Sequence, residues 1–290
     1  MSEKKQADPA AWITSVMEDF LDQSPENTLQ DKANEKAFDA CLLGFSKGDD
    51  PIYDKYKEVV GPFHWTPLEI FTKAFPESKV DAEEITVISW VLPHREATKA
   101  DNREETAFTS ERWARARIYG EQVNAKLRKE VVETLQKEGH EAVAPQLFPD
   151  WSRKSSEKYV FASTWSERHA AHASGLGTFG LCDGLITPVG KAMRVGSVVA
   201  NIDIPPTPRP YTHHQEYCLF FSQGLCKQCI PRCPVGALSE KGHDKEKCRK
   251  FIKPTSQEYV KSHFGFDGYG CGLCQTGVSC ESKIPTKEDL

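Results

Sequence analysis

Long apolar runs are missing from this chain of 290 residues. No stretch of about 18 apolar residues is available to cross a bilayer, and the opening MSEKKQADPA has neither the apolar core of a secretory signal nor a twin arginine. The expectation is a soluble, cytoplasmic protein with no membrane contact. A strong charge of either sign is missing too. With a formal net charge of −5 and a pI near 6.0, the composition disfavours nucleic acid as the main partner, although a local basic patch is compatible with it. No low-complexity tract interrupts the chain, and hydrophobic residues make up 39% of it, so a packed core is available and disorder is excluded.

Cysteine, by contrast, is concentrated at one end. Eight of the ten cysteines fall between Cys218 and Cys280. Cys226, Cys229 and Cys233 spell CxxCxxxCP, the tail of the bacterial ferredoxin pattern, in which the Cys before Pro ligates a second cluster rather than the one its neighbours hold. A cubane needs four thiolates, and three from a tight loop with one remote Cys supply them. That crossed pattern assigns Cys218, Cys226, Cys229 and Cys280 to one 4Fe-4S cluster, and Cys233, Cys248, Cys271 and Cys274 to another. Two departures stand out. Gln223 occupies the regular first-ligand position, so Cys218 must serve across a longer loop, and Cys280 is followed by Glu281 rather than Pro. Zinc is the alternative for CxxC pairs, but it requires neither the third Cys nor the proline. A disulfide framework does not suit so long a chain without a secretory signal.

Read in order, residues 9–23 place Trp12, Val16, Phe20 and Leu21 at helical spacing behind Pro9. Cys41 reads as a small buried hydrophobe. Prolines break up 49–76, where Phe63, Trp65, Phe71 and Phe75 either wall a pocket or simply pack. ITVISWVLP (85–93) is a β-branched run of strand length, expected to be central. A long helix is expected over 109–139, with Arg112, Arg115 and Tyr119 on one face as a solvated basic stripe or a functional one. A strand near 142–147 comes next, followed by TWSERHAAHASGLGTFG. Its GxGxxG (Gly175, Gly177, Gly180) closes an Ala-rich helical run instead of following a strand, so a dinucleotide fingerprint is rejected. His169 and His172 read as surface or pocket-lining imidazoles. Strand candidates GLITP and RVGSVVANIDIP precede the proline-rich turn 205–211, the expected boundary between an α/β domain (1–205, with a helical part at 1–80) and a cluster domain (206–290).

Three of these stretches carry a resemblance to the corrinoid iron-sulfur reductases, epoxyqueuosine reductase and, more distantly, the reductive dehalogenases. SERHAAHASGLGTFG is similar to that family's acidic, Ala-rich, AGLGW-type segment. GSVVANIDIP is similar to the strand that ends its corrinoid-binding core, and the cysteine set, with DKEKC and GCGLC, to its cluster region. RWARARIYG is a weaker match. The resemblance implies a nitroreductase-like α/β (α+β) corrinoid-binding core, followed by a bacterial-ferredoxin-like domain with two 4Fe-4S clusters. It places Glu167 at the catalytic acid, Arg117 and Tyr119 beside the substrate, and Gly175, Gly177, Gly180, Gly196 and Ser197 against cobalamin. It also implies a low-potential donor such as ferredoxin or flavodoxin and a small-molecule substrate. The helical-repeat region that follows the clusters in epoxyqueuosine reductases and the twin-arginine signal of respiratory dehalogenases are not found in this sequence, and Cys182 stands where a Lys or polar residue is usual. A two-cluster electron carrier, or a corrinoid-reducing partner without its own substrate, is the competing expectation.

Overall fold

In the computed structural model, described for residues 8–156 and 159–290, the first helix, α1 (Pro9–Gln23), starts where Asp8 accepts a hydrogen bond from the Ala11 amide at 2.9 Å. Its buried stripe is Ile13, Met17 and Leu21, with Trp12 and Phe20 on the flanks. The expected face is thus rotated by about one position, because the i, i+4 row, not the aromatics, points inward.

Strand β1 (Leu42–Lys47) follows Cys41, which is half-buried with its thiol pushed up to about 12, chiefly by burial. Helices α2 (Ile52–Val60) and α3 (Pro67–Ala74) occupy the proline-broken region; Thr66 and Glu69 form a reciprocal capping box at the start of α3. Strand β2 (Thr86–Pro93) leads through α4 (Glu96–Glu104) to the 27-residue helix α5 (Glu111–Lys137), capped by Ser110. The next strand, β3, is only Ala142–Val143, because Pro145 turns the chain into a 3-10 segment. After α6 (Glu167–Ala173) comes β4 (Met193–Ala200).

The four strands form one antiparallel sheet in the order β1-β2-β4-β3. β2 is interior, as its buried run requires. Ile88, Trp90 and Leu92 pack toward α1 and α5, and Val87 packs toward the aromatic cluster of α2, α3 and α6 with Tyr53, Trp65, Phe71 and Trp165. An antiparallel sheet covered on both faces gives a three-layer α+β arrangement. Two-residue strands at Thr178–Phe179 and Leu185–Ile186 form a small ladder after α6. Beyond residue 206 the elements are short: α7 (Leu219–Gln223), α8 (Lys245–Lys250), α9 (Gln257–Phe264) and a two-residue ladder. Among the described residues no helix is long and apolar enough to cross a membrane.

Candidate functional site

Cys218, Cys226, Cys229 and Cys280 line one cavity with Leu181, Ile186, Lys191 and Phe220. Cys218, Cys229 and Cys280 are buried, and burial pushes the Cys229 thiol up to about 12. Cys271 faces Cys248 and Cys233, and Cys274 faces Cys271. Cys218, Cys226, Cys229 and Cys280 thus share one cavity lining, while Cys274 interacts with Cys182 and Lys191 as well as with Cys271. Among the described residues, no three His, Cys, Asp or Glu side chains are arranged to hold a single metal ion.

Local chain geometry positions the cysteine segments. Gly272 has φ +68°, and a Cβ there would meet the Trp113 indole at 2.0 Å, so the GCGLC loop presses onto the start of α5. Arg232 donates to the carbonyls of Leu273, Thr276, Arg103 and Asn102 at 3.0–3.2 Å, tying the two cysteine segments to α4. The fully buried Asn102 donates to Cys271 O at 3.2 Å and Thr276 Oγ1 at 3.1 Å. Arg103 pairs with Glu281, the residue after Cys280.

Glu167 opens α6 and points into the layer between α5 and β4. One carboxylate oxygen accepts from Arg128 Nε at 3.1 Å and the other from Ser197 Oγ. Burial pushes the carboxyl up, opposed by the Arg128 charge and the Ser197 hydrogen bond. Arg128, itself buried, also contacts Glu121 at 3.1 Å, Gln146 at 2.8 Å and Val195 O at 3.1 Å. Its position among Val123, Asn124, Leu127 and Val131 is legible as a charge inside an apolar stripe, a pattern that demands a buried partner. Sequence reasoning missed it.

The other expected site residues do not all converge. Arg117 donates to Tyr269 Oη at 3.0 Å, two residues before Cys271, and its carbonyl accepts from Arg194, whose Nε is buried without a hydrogen-bond partner. Tyr119 lies on another side of α5, its ring 5.6 Å from Phe266, away from Glu167's partners. Arg115 bonds to Glu111 and Arg112 to Glu35 and Asp101, so the basic stripe is an ion-paired face. Space beside the glycines is filled by the chain itself. A Cβ on Gly175 would meet Pro208 O at 2.7 Å, on Gly177 Ile186 O at 2.1 Å, on Gly180 Ile186 Cδ1 at 3.2 Å, and on Gly196 the Trp90 ring at 2.4 Å. Ser197 Oγ also accepts from Trp165 Nε1 at 3.0 Å. His172 is buried, with Nδ1 2.6 Å from Tyr56 Oη and its ring against Tyr211, and is therefore part of the core instead of the surface. His169 packs on Tyr56 and Phe179.

No family model matches the chain. Epoxyqueuosine reductase of Staphylococcus aureus is 29% identical over 146 residues, covering 49% of this chain and 35% of that protein. The chain is similar to this epoxyqueuosine reductase over about half of its own length. It spans about a third of the length of this curated relative. Among solved structures, a catabolic reductive dehalogenase in complex with 3-bromo-4-hydroxybenzoic acid superposes with a TM-score of 0.50 at 14% identity, covering 85% of this chain and 30% of the other. That likeness is one of fold. An epoxyqueuosine reductase solved with an epoxyqueuosine-modified tRNA-Tyr stem loop superposes at 0.47 and 19% identity, covering 86% and 63%.

Proposed function

We propose that this chain is an iron-sulfur oxidoreductase, taking electrons from a low-potential donor, ferredoxin or flavodoxin, and delivering them to a reducible substrate with cobalamin as cofactor. The observation that carries the reading is the cavity lined by four thiols, Cys218, Cys226, Cys229 and Cys280, in a segment that holds four more cysteines. A set of four thiols is a donor set suited to a cubane, and ligation requires their deprotonation. When bound, the clusters supply one-electron relays and the corrinoid a reducible metal. Cys218, Cys226, Cys229 and Cys280 would hold the first cluster, and Cys233, Cys248, Cys271 and Cys274 the second. Glu167 would hold a proton at its carboxylate, in the protonated form that burial favours, while Arg128 and Ser197 fix its orientation. Arg117 and Tyr269 would orient substrate beside the second set.

Protein atoms occupy the Cβ position of Gly175, Gly177, Gly180 and Gly196, and Ser197 donates to Glu167 and accepts from Trp165, so internal packing accounts for these residues without a corrinoid. That filled space favours a second reading, an electron carrier or corrinoid-reducing partner with no substrate of its own. The net charge disfavours nucleic acid, but the tRNA stem loop in the epoxyqueuosine reductase complex adds an RNA-borne substrate to the candidates alongside small electrophiles. Anaerobic reconstitution with iron, sulfide and cobalamin, then desalting, absorption and electron paramagnetic resonance, tests both readings. About eight iron atoms and one cob(II)alamin per chain support the reductase and call for turnover assays with halogenated or epoxide compounds and with the modified stem loop. Two clusters without retained corrinoid support the carrier, and no clusters in the intact chain defeats both.

A further inference from the structure

Lys191 is 3% exposed, and lysine is almost never buried to that degree unless its charge is matched. Its Nζ donates to Cys182 Sγ at 3.5 Å, and it lines the cavity of Cys218, Cys226, Cys229 and Cys280. A second hydrogen bond reaches the Cys280 sulfur, and the ammonium also faces Cys229 of the first set and Cys274 of the second. The sulfurs that face it come from both sets, with Cys182 hydrogen-bonded to Cys274 between them. The backbone holds this placement. Lys191 N donates to the carbonyls of Cys280 and Glu281 at 3.0 and 3.1 Å, and Ala192 N donates to Glu281 O at 3.1 Å. Gly190, at φ +81°, brings the turn so close that a Cβ would lie 2.1 Å from Glu281 O.

We infer that Lys191 is a fixed buried cation shared by the two cysteine sets, and that it sets the redox poise of the clusters they hold. The inference rests on the iron-sulfur reading proposed above. Adding one electron to a thiolate-held cluster makes it more negative, with no bond formed or broken. A cation and N–H donors at the ligand sulfurs stabilise that reduced form and raise its potential. Low dielectric around the ammonium strengthens the effect, and no solvent reorganises around it. Cys182, a ninth cysteine in the same region, accepts the Lys191 hydrogen bond and so helps to hold the ammonium in place.

The test is a potentiometric titration, followed by electron paramagnetic resonance, of the reconstituted full chain and of its Lys191→Met and Lys191→Arg variants, with iron and sulfide counted in each. Methionine keeps the length and apolar stem without the charge; arginine keeps the charge. The expected result is that Lys191→Met lowers the reduced-to-oxidised ratio of the first cluster about tenfold at fixed poise, which is 59 mV for a one-electron couple, while Lys191→Arg recovers most of the ratio. Loss of a cluster in the methionine variant alone supports the same role, because the charge is then needed for assembly. Equal potentials in all three proteins, or equal cluster loss in both variants, overturns the inference and leaves Lys191 a space-filling residue. A wild-type chain that assembles no cluster refutes the iron-sulfur reading itself, an outcome distinct from these.

Discussion

Glu167 and Arg128 separate two consequences of one buried ion pair. Removing Arg128 leaves the buried Glu167 without its cation, whereas neutralising Glu167 with glutamine preserves the shape and keeps an acceptor for Arg128 Nε. Arg128→Met should therefore cost about 3–5 kcal/mol in denaturant unfolding, and Glu167→Gln about 1 kcal/mol or less. Glu167→Gln should still abolish turnover while cluster absorption persists; full activity in that variant would remove Glu167 from the chemistry. His94 carries a pH dependence. Buried and stacked near Phe38 and Trp113, it has its pKa depressed to about 3, first by burial and then by Arg194 and Lys99. Its folded pKa lies below the unfolded one, so the unfolded chain binds the extra proton and stability falls as the pH drops from about 6.5 toward 3. Between pH 7.5 and 5.5 this single group should remove about 1.4 kcal/mol, and His94→Phe should flatten that loss in paired denaturation curves.

At the scale of elements, the glycines after α6 and in β4 are explained by close packing. Gly196 faces the fully buried Trp90 across the β2-β4 pair, with register Trp90 opposite Gly196. Gly196→Ala should thus cost about 1–3 kcal/mol by overpacking, measured as a shift in denaturant midpoint. It should leave any retained cobalamin per folded chain unchanged; a specific loss of cobalamin at unchanged stability would return Gly196 to the cofactor site. Elements with strong periodicity or β-branched runs were legible in the sequence: α1, α5, β2 and β4 lie within a few residues of expectation. Less legible was β1, LLGFSK, whose Gly44 and Ser46 weaken any strand pattern and which is strand only because it pairs along all six residues with β2. The 142–147 run reads as strand by composition, but Pro145 ends it after Val143. The expected cysteine grouping rests on spacing alone. Lys191 was not legible, since it lies in a turn whose neighbours at Glu281 and Cys280 are remote in sequence.

Across the whole molecule the two halves are held by different kinds of interaction. The sheet and its flanking helices share a continuous apolar core, from Ile13 and Phe38 through Trp90 to Leu127. The segment after residue 206 buries mainly cysteines and Leu238, packed on Leu181, Cys182 and Ile186 from before it. Its helices are short, and its ties to the rest are a few polar contacts, Arg232 on the Arg103 and Asn102 carbonyls, Asn102 on the GCGLC loop and Arg103 on Glu281, beside the stacking of Phe108 on Phe251 and Tyr259. Such a segment buries too little apolar surface to offset its conformational entropy by itself, so ligation of its thiols should supply much of its order. Removing iron with a chelator under anaerobic conditions should therefore release the amides of 218–250 to fast hydrogen exchange, while those of β2 and β4 keep their protection. Asn102→Leu, which breaks the anchor while leaving every cysteine in place, should reproduce part of that release at the 271–281 loop in the iron-loaded protein. Uniform protection in both halves after iron removal would mean that the thiol-lined core packs without metal.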